Sequence, residues 1–142
     1  MKVIRVDHIG IVSADAVAAC ALYGALLGLP VEFEEVFNER DLLTFFAAGD
    51  TRIEVCTSLG EGSETAKALH DRGAHIEHIA LEVEDIDAAV AELAEAGVPV
   101  DPPGVIEGAE GSRVAVLDPS ATGGVVLELV ERCSGERRLR LY

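Results

Sequence analysis

The chain has 142 residues, 49% of them hydrophobic, and its 11 Lys+Arg against 26 Asp+Glu give a formal charge of −15. That length and apolar content fit one domain with a real core, while the acidity speaks against nucleic acid and anionic membranes as partners, since phosphate is repelled. No run approaches the ~20 apolar residues of a membrane span, the start MKVIRVDHIG lacks the apolar stretch of a signal peptide, and Cys20, Cys56 and Cys133 share no metal-ligand spacing and cannot all pair, so a cytoplasmic protein in a reducing compartment is expected.

In chain order, a β-branched run from Val3 to Val12 predicts a first strand, and Asp15 caps an Ala-rich helix to Leu27 that Gly28 stops, with Pro30 preventing continuation. Strand-like runs follow at Val31 to Val36, Leu42 to Ala47 and Arg52 to Thr57. Ser63 to Arg72 reads as a connecting helix, capped by Ser63 and ended by Gly73. A strand from Ile76 to Val83 and a helix from Asp85 to Ala96, stopped by Gly97, then repeat the opening pattern. Strands near Val98 to Val100, at Val114 to Leu117 and at Gly124 to Val130 complete the second half, around an irregular loop from Asp101. The last eleven residues hold Arg132, Arg137, Arg138 and Arg140 against Glu136 alone, a tail of +3 on a body of −18.

The halves are copies. Val6-Asp7-His8-Ile9-Gly10-Ile11 answers Ile76-Glu77-His78-Ile79-Ala80-Leu81, and Gly28-Leu29-Pro30-Val31 answers Gly97-Val98-Pro99-Val100. The fold class is therefore α+β, two tandem βαβββ repeats at about 3–58 and 74–131 in one domain, 1–131, with a connector helix at 63–72 and a basic tail at 132–142. Helices on one side of each sheet leave the other faces to curl round a shared cleft.

Strand parity selects what enters it. His8 shares a face with Gly10 and Val12, and His78 holds the same phase in its own strand. Glu54 lies opposite the Ile53/Val55 row and Glu128 opposite Leu127/Leu129, where an unpaired carboxylate would be costly to bury. Two His and two Glu related by the repeat form a His₂Glu₂ set for one divalent ion of cobalt, nickel, zinc, manganese or iron. A single His at a strand start is more often a core or edge residue; the repeat-related set of four carries the assignment. His70, on the connector, and His75, of opposite parity to His78, are ordinary.

Asp7-His8-Ile9-Gly10-Ile11, Glu77-His78-Ile79-Ala80-Leu81-Glu82-Val83 and Gly123-Gly124-Val125-Val126-Leu127-Glu128-Leu129-Val130-Glu131 resemble the vicinal oxygen chelate (glyoxalase/bleomycin-resistance/dioxygenase) superfamily, and within it the methylmalonyl-CoA epimerases, along nearly the whole chain. The resemblance implies the vicinal oxygen chelate fold, a divalent ion at His8, Glu54, His78 and Glu128, and chelation of a thioester carbonyl and a carboxylate of a malonyl-type acid. It also implies proton transfer on each face of the α-carbon, with Glu128 catalytic on one. A homodimer is a family expectation.

Two departures stand out. Where some epimerases carry a second catalytic Glu, this chain reads Leu42-Leu43-Thr44-Phe45-Phe46, which puts Thr44 near the substrate and leaves Glu39, Asp41 or water for the other face. Where they read His-Pro-Lys-Ser, it has Asp118-Pro119-Ser120-Ala121. Arg113 is either the partner of the substrate carboxylate or a surface arginine. The expected function is metal-dependent epimerisation of a 2-substituted malonyl thioester or related acid. A glyoxalase-I-like isomerase or lyase and a small-molecule-binding resistance protein on the same fold are the alternatives; an extradiol dioxygenase is disfavoured, because its triad uses one carboxylate.

Overall fold

A computed structural model describes residues 1–133. Most of the expected basic tail, residues 134–142, lies outside the described residues.

The chain forms two compact units, Val6–Ile79 and Met1–Arg5 together with the chain from Ala80 onward. Its elements are β1 (Val3–Val12), α1 (Ala16–Ala19), β2 (Val31–Phe37), β3 (Asp41–Ala48), β4 (Thr51–Ser58), α2 (Glu64–Arg72), β5 (His75–Val83), α3 (Ile86–Glu95), β6 (Ile106–Glu107), β7 (Arg113–Val116) and β8 (Leu127–Glu131). The division falls inside β5 rather than in the connector, so the half of β5 that carries His78 belongs with β1 and His8.

In the unit Val6–Ile79 the strand order is β2-β3-β4-β1. β1 runs parallel to β4, pairing His8 with Arg52 and Gly10 with Glu54, and β3 runs antiparallel to β4, pairing Phe45 with Glu54 and Thr44 with Val55. Side chains alternate across a strand, so Phe45 and Glu54 share one face while Phe46, Ile53 and Val55 share the other. The second face is the core: Ala19, Phe46 and Val55 are buried and Tyr23, Leu29 and Ile53 pack against them. The polar face is left for a site.

In the other unit the order is β5-β8-β7-β6, and Val83, Ile86, Ala89, Ala115, Leu117 and Leu129 form the core beneath α3. Asp85 caps α3 by accepting from the Ala88 amide at 2.9 Å, as Asp15 caps α1 by accepting from Val17 and Ala18 at 2.8 and 3.0 Å. Asp85→Ala is expected to cost about 1 kcal/mol, readable as a lower urea midpoint at unchanged slope.

Four details differ from expectation. The helix after Asp15 is α-helical only over Ala16–Ala19 and continues as a π-helix, Cys20–Leu26, ended by the Leu27 amide bonding five residues back to Leu22 at 2.9 Å. An apolar period near 3.6 cannot distinguish this wider turn. The strand expected at Val98 to Val100 is reduced to one bridge, Val100 to Leu117, since Pro99, Pro102 and Pro103 bring no N–H to a ladder; the two-residue β6 takes its place in the repeat. β8 begins at Leu127 rather than Gly124, because Gly123 and Gly124 have φ of 71° and 86° and belong to the preceding turn. Arg132, assigned to the tail, is held by Glu110.

Candidate metal centre

The polar face of the unit Val6–Ile79 brings three of the four expected ligands together. His8 Nε2 lies 3.0 Å from His78 Nε2, and a Glu54 oxygen lies 3.4 Å from the first and 3.3 Å from the second. Gly10 permits this approach: a Cβ there would stand 2.2 to 2.7 Å from three atoms of the His78 ring. The glycine is needed for space rather than for its backbone freedom.

The His8 ring has a fixed orientation. Its Nδ1–H donates to Asp7 Oδ2 at 2.7 Å, because an ionised carboxylate accepts only, and the remaining ring nitrogen therefore turns a lone pair towards His78 and Glu54. Phe45 meets the ring edge-on, with centroids 5.6 Å apart and planes at 89°. Burial opposes ionisation of Glu54, yet His78 and then His8, which hydrogen-bond to it and add their charge when protonated, outweigh that cost and hold the carboxyl well below the usual range.

Two imidazole nitrogens and a carboxylate oxygen converge here to within 3.0 to 3.4 Å of one another. The donor set suits a first-row divalent ion: mixed N/O ligands, with a carboxylate on the far nitrogen of one histidine. Glu128 lies in the other unit, half-buried on β8 opposite Val116 of β7.

Thr44 and Arg113 stand apart from these three ligands. Thr44 pairs with Val55 and so belongs to the core face, where its hydroxyl donates to Glu34 at 3.0 Å; the site-facing residues of β3 are Asp41, Leu43, Phe45 and Ala47. A one-residue slip in reading the strand moves a side chain to the opposite face. Arg113 is held by its own chain, its two terminal nitrogens each 2.8 Å from an Asp87 oxygen and Nη1 also 3.6 Å from Glu131, so a substrate carboxylate would have to displace Asp87. The hydrogen bond from Arg113 lowers the pKa of Asp87.

Of the acids proposed for the second face, Glu39 sits exposed in the β2–β3 turn at φ 61°, whereas Asp41 is buried on the site face with Oδ1 lacking a hydrogen-bond partner among the described residues. Glu35, not singled out from the sequence, is the cross-strand partner of Leu43 and hence on the same face. His75 bonds to Gly73 and Glu77, as befits an ordinary residue of that strand. Asp7 and Arg52 also flank the ligands; the alternation that selects Glu54 places Arg52 on the same face, two residues earlier.

Comparison with known proteins matches residues 7–116 to the glyoxalase/bleomycin resistance protein/dioxygenase superfamily. The ethylmalonyl-CoA/methylmalonyl-CoA epimerase of Cereibacter sphaeroides is 38% identical over 128 residues, covering 88% of this chain and 96% of that protein. The crystal structure of methylmalonyl-CoA epimerase from Mycobacterium tuberculosis superposes with a TM-score of 0.86 at 32% identity, covering 94% of this chain and 91% of that one. A variant of the Streptomyces coelicolor methylmalonyl-CoA epimerase in complex with 2-nitronate-propionyl-CoA gives 0.85 at 30% identity, covering 94% and 97%.

Proposed function

The chain belongs to the glyoxalase/bleomycin resistance protein/dioxygenase superfamily, and on that footing we propose that it is a metal-dependent epimerase of 2-substituted malonyl thioesters, methylmalonyl-CoA among them. The observation that carries the reading is the convergence of His8, His78 and Glu54 on one face of the first unit. The chemistry named for the relatives, including a complex with an acyl-CoA nitronate, supports the substrate class.

His8, Glu54, His78 and Glu128 would hold the ion, each by a neutral imidazole nitrogen or a carboxylate oxygen. A bound divalent ion supplies Lewis-acid stabilisation of the charge that gathers on a carbonyl oxygen as an α-proton leaves. Glu128 takes that proton on one face of the carbon. The other face is served by a carboxylate on the site face of β2 or β3, Glu35 or Asp41. Leu43 and Phe45, buried on the same face of β3, with Phe45 against the His8 ring, give the acyl substituent an apolar surface.

Epimerisation needs proton transfer on both faces, whereas exchange of the α-hydrogen with solvent needs only one. In D₂O with a divalent ion added, the wild type is expected to exchange the α-hydrogen of methylmalonyl-CoA and to interconvert its enantiomers. Either Glu35→Gln or Asp41→Asn is expected to keep exchange of one enantiomer while losing interconversion by 10²-fold or more, on the order of a general acid–base contribution. Turnover of a glutathione hemithioacetal, with no exchange on malonyl thioesters, would instead favour the glyoxalase-like chemistry.

Gly10→Ala tests the geometry of the ligands. The added methyl forces the His78 ring aside, and weaker retention of the ion during dialysis is expected, with the fold intact by circular dichroism.

A further inference from the structure

We infer that Arg52 is a positioning residue, which holds His8 in its ligating tautomer by gripping it from two sides, through Asp7 and through Phe45. The inference rests on the metal-binding reading above and adds to it a residue that touches neither ion nor substrate.

Arg52 is 4% exposed, so its charge must be paired where it lies. One terminal nitrogen donates to Asp7 Oδ2 at 3.1 Å, the other lies 3.9 Å from Glu32, and the guanidinium carbon stands 4.4 Å above the centroid of Phe45. Asp7 is 0% exposed and its same oxygen receives the Nδ1–H of His8. Asp7 therefore accepts from Arg52 and His8 together. A guanidinium has donors only, so Oδ2 serves as an acceptor; an acceptor there places the proton of the shared bond on Nδ1 and leaves Nε2 as the donor atom.

The second grip is steric. Phe45 carries Arg52 on its face and His8 at its edge, so the ring that limits rotation of the imidazole is itself pinned by the guanidinium. The register makes this possible: His8 and Arg52 are partners in the parallel β1–β4 ladder, and Glu54 follows two residues later on the same face. One strand thus supplies both a ligand and the support of another ligand.

The sequence repeat does not carry the arginine into the second half. In the repeat, Arg52 corresponds to Val126, and Glu77, the counterpart of Asp7, pairs with Arg72 at 3.3 Å and with His75. Losses at Arg52 should therefore be read at His8.

The test uses the full chain loaded with Co²⁺. Affinity is measured by competition with a chromophoric chelator, and the solvent-exchangeable ring N–H protons of the ligating histidines are followed as paramagnetically shifted proton resonances. Asp7→Asn and Arg52→Met are expected to weaken Co²⁺ binding 10–100-fold, the range found when the partner of a ligating histidine is removed, and to broaden or shift the His8 Nδ1–H resonance. Arg52→Lys keeps the charge without the planar fork and is expected to fall between wild type and Arg52→Met. Arg72→Met, which removes the exposed partner of Glu77, is expected to leave both readouts at wild-type values. Urea midpoints separate these effects from loss of fold, and the milder Arg52→Lys and Asp7→Asn keep the question answerable if Arg52→Met does not fold. Folded Arg52 and Asp7 variants with wild-type affinity and an unchanged His8 resonance overturn the inference alone. A wild type that takes up no Co²⁺ overturns the metal-binding reading on which it rests.

Discussion

Replacing both imidazoles, His8→Ala with His78→Ala, is expected to abolish stoichiometric binding of a divalent ion, whereas His75→Ala is expected to retain one ion per chain. The physical reason is the ligand count. The double variant leaves Glu54 and Glu128 as the proposed donors, and two carboxylates bind first-row ions far less well than a mixed set with two neutral nitrogens. His75 is spent on Gly73 and Glu77 and has no part in the cluster. Elemental analysis of the dialysed proteins after incubation with Co²⁺ or Zn²⁺ reads the result directly, and full metal content in the double variant would sink the assignment. Metal retention by wild type is expected to fall with acidification, because protons compete for the imidazoles; the carboxyl of Glu54, held well below the usual range, stays available until far lower pH.

The second large effect is expected at Glu128. Glu128→Gln keeps an oxygen able to coordinate but removes the group that accepts a proton. At matched metal occupancy, α-proton exchange with solvent is expected to drop about 10²- to 10⁴-fold, the usual range for a general base, while loading of Co²⁺ is weakened but measurable. Exchange at the wild-type rate in a fully loaded Glu128→Gln protein excludes Glu128 as the base and leaves it a ligand at most.

Much of this fold was legible because its signals are local and repeated. The caps at Asp15, Ser63 and Asp85 each accept the predicted backbone bonds, and Gly28 and Gly97 adopt the left-handed conformation that ends a helix. The alternation along β1 and β4 placed His8 and Glu54 on a common face, which needs only the two-residue period of a strand. What was not legible depends on partners distant in sequence. The π-turn from Cys20 seats Tyr23 against Phe46, a contact that no local pattern announces. The phase of β3 is set by its pairing with β4, and the apolar run Leu42-Leu43-Thr44-Phe45-Phe46 does not alternate, so the side that Thr44 faces could not be read from it.

The site divides along the same line. Ligand types at repeat-related positions were visible in the sequence, because the duplication presents the pattern twice. The support around them was not: Arg52 reads in isolation as a surface charge, and only the β1–β4 register brings it to Asp7. Arg113 shows the converse, since its place after a glycine-rich loop suggested a ligand for carboxylate and the carboxylate it meets is Asp87 of its own chain. With a formal charge of −15, such internal pairing is where many of the few cations are spent.

The most direct measurement of the central claim is proton NMR of (2R)- and (2S)-methylmalonyl-CoA in D₂O with protein loaded with Co²⁺. The proposed function predicts loss of the α-proton signal from both enantiomers, faster from the one whose hydrogen faces Glu128, together with interconversion of the two, and no loss above background with the His8→Ala/His78→Ala protein. Persistence of the α-proton of both enantiomers in the presence of fully metal-loaded wild type contradicts it.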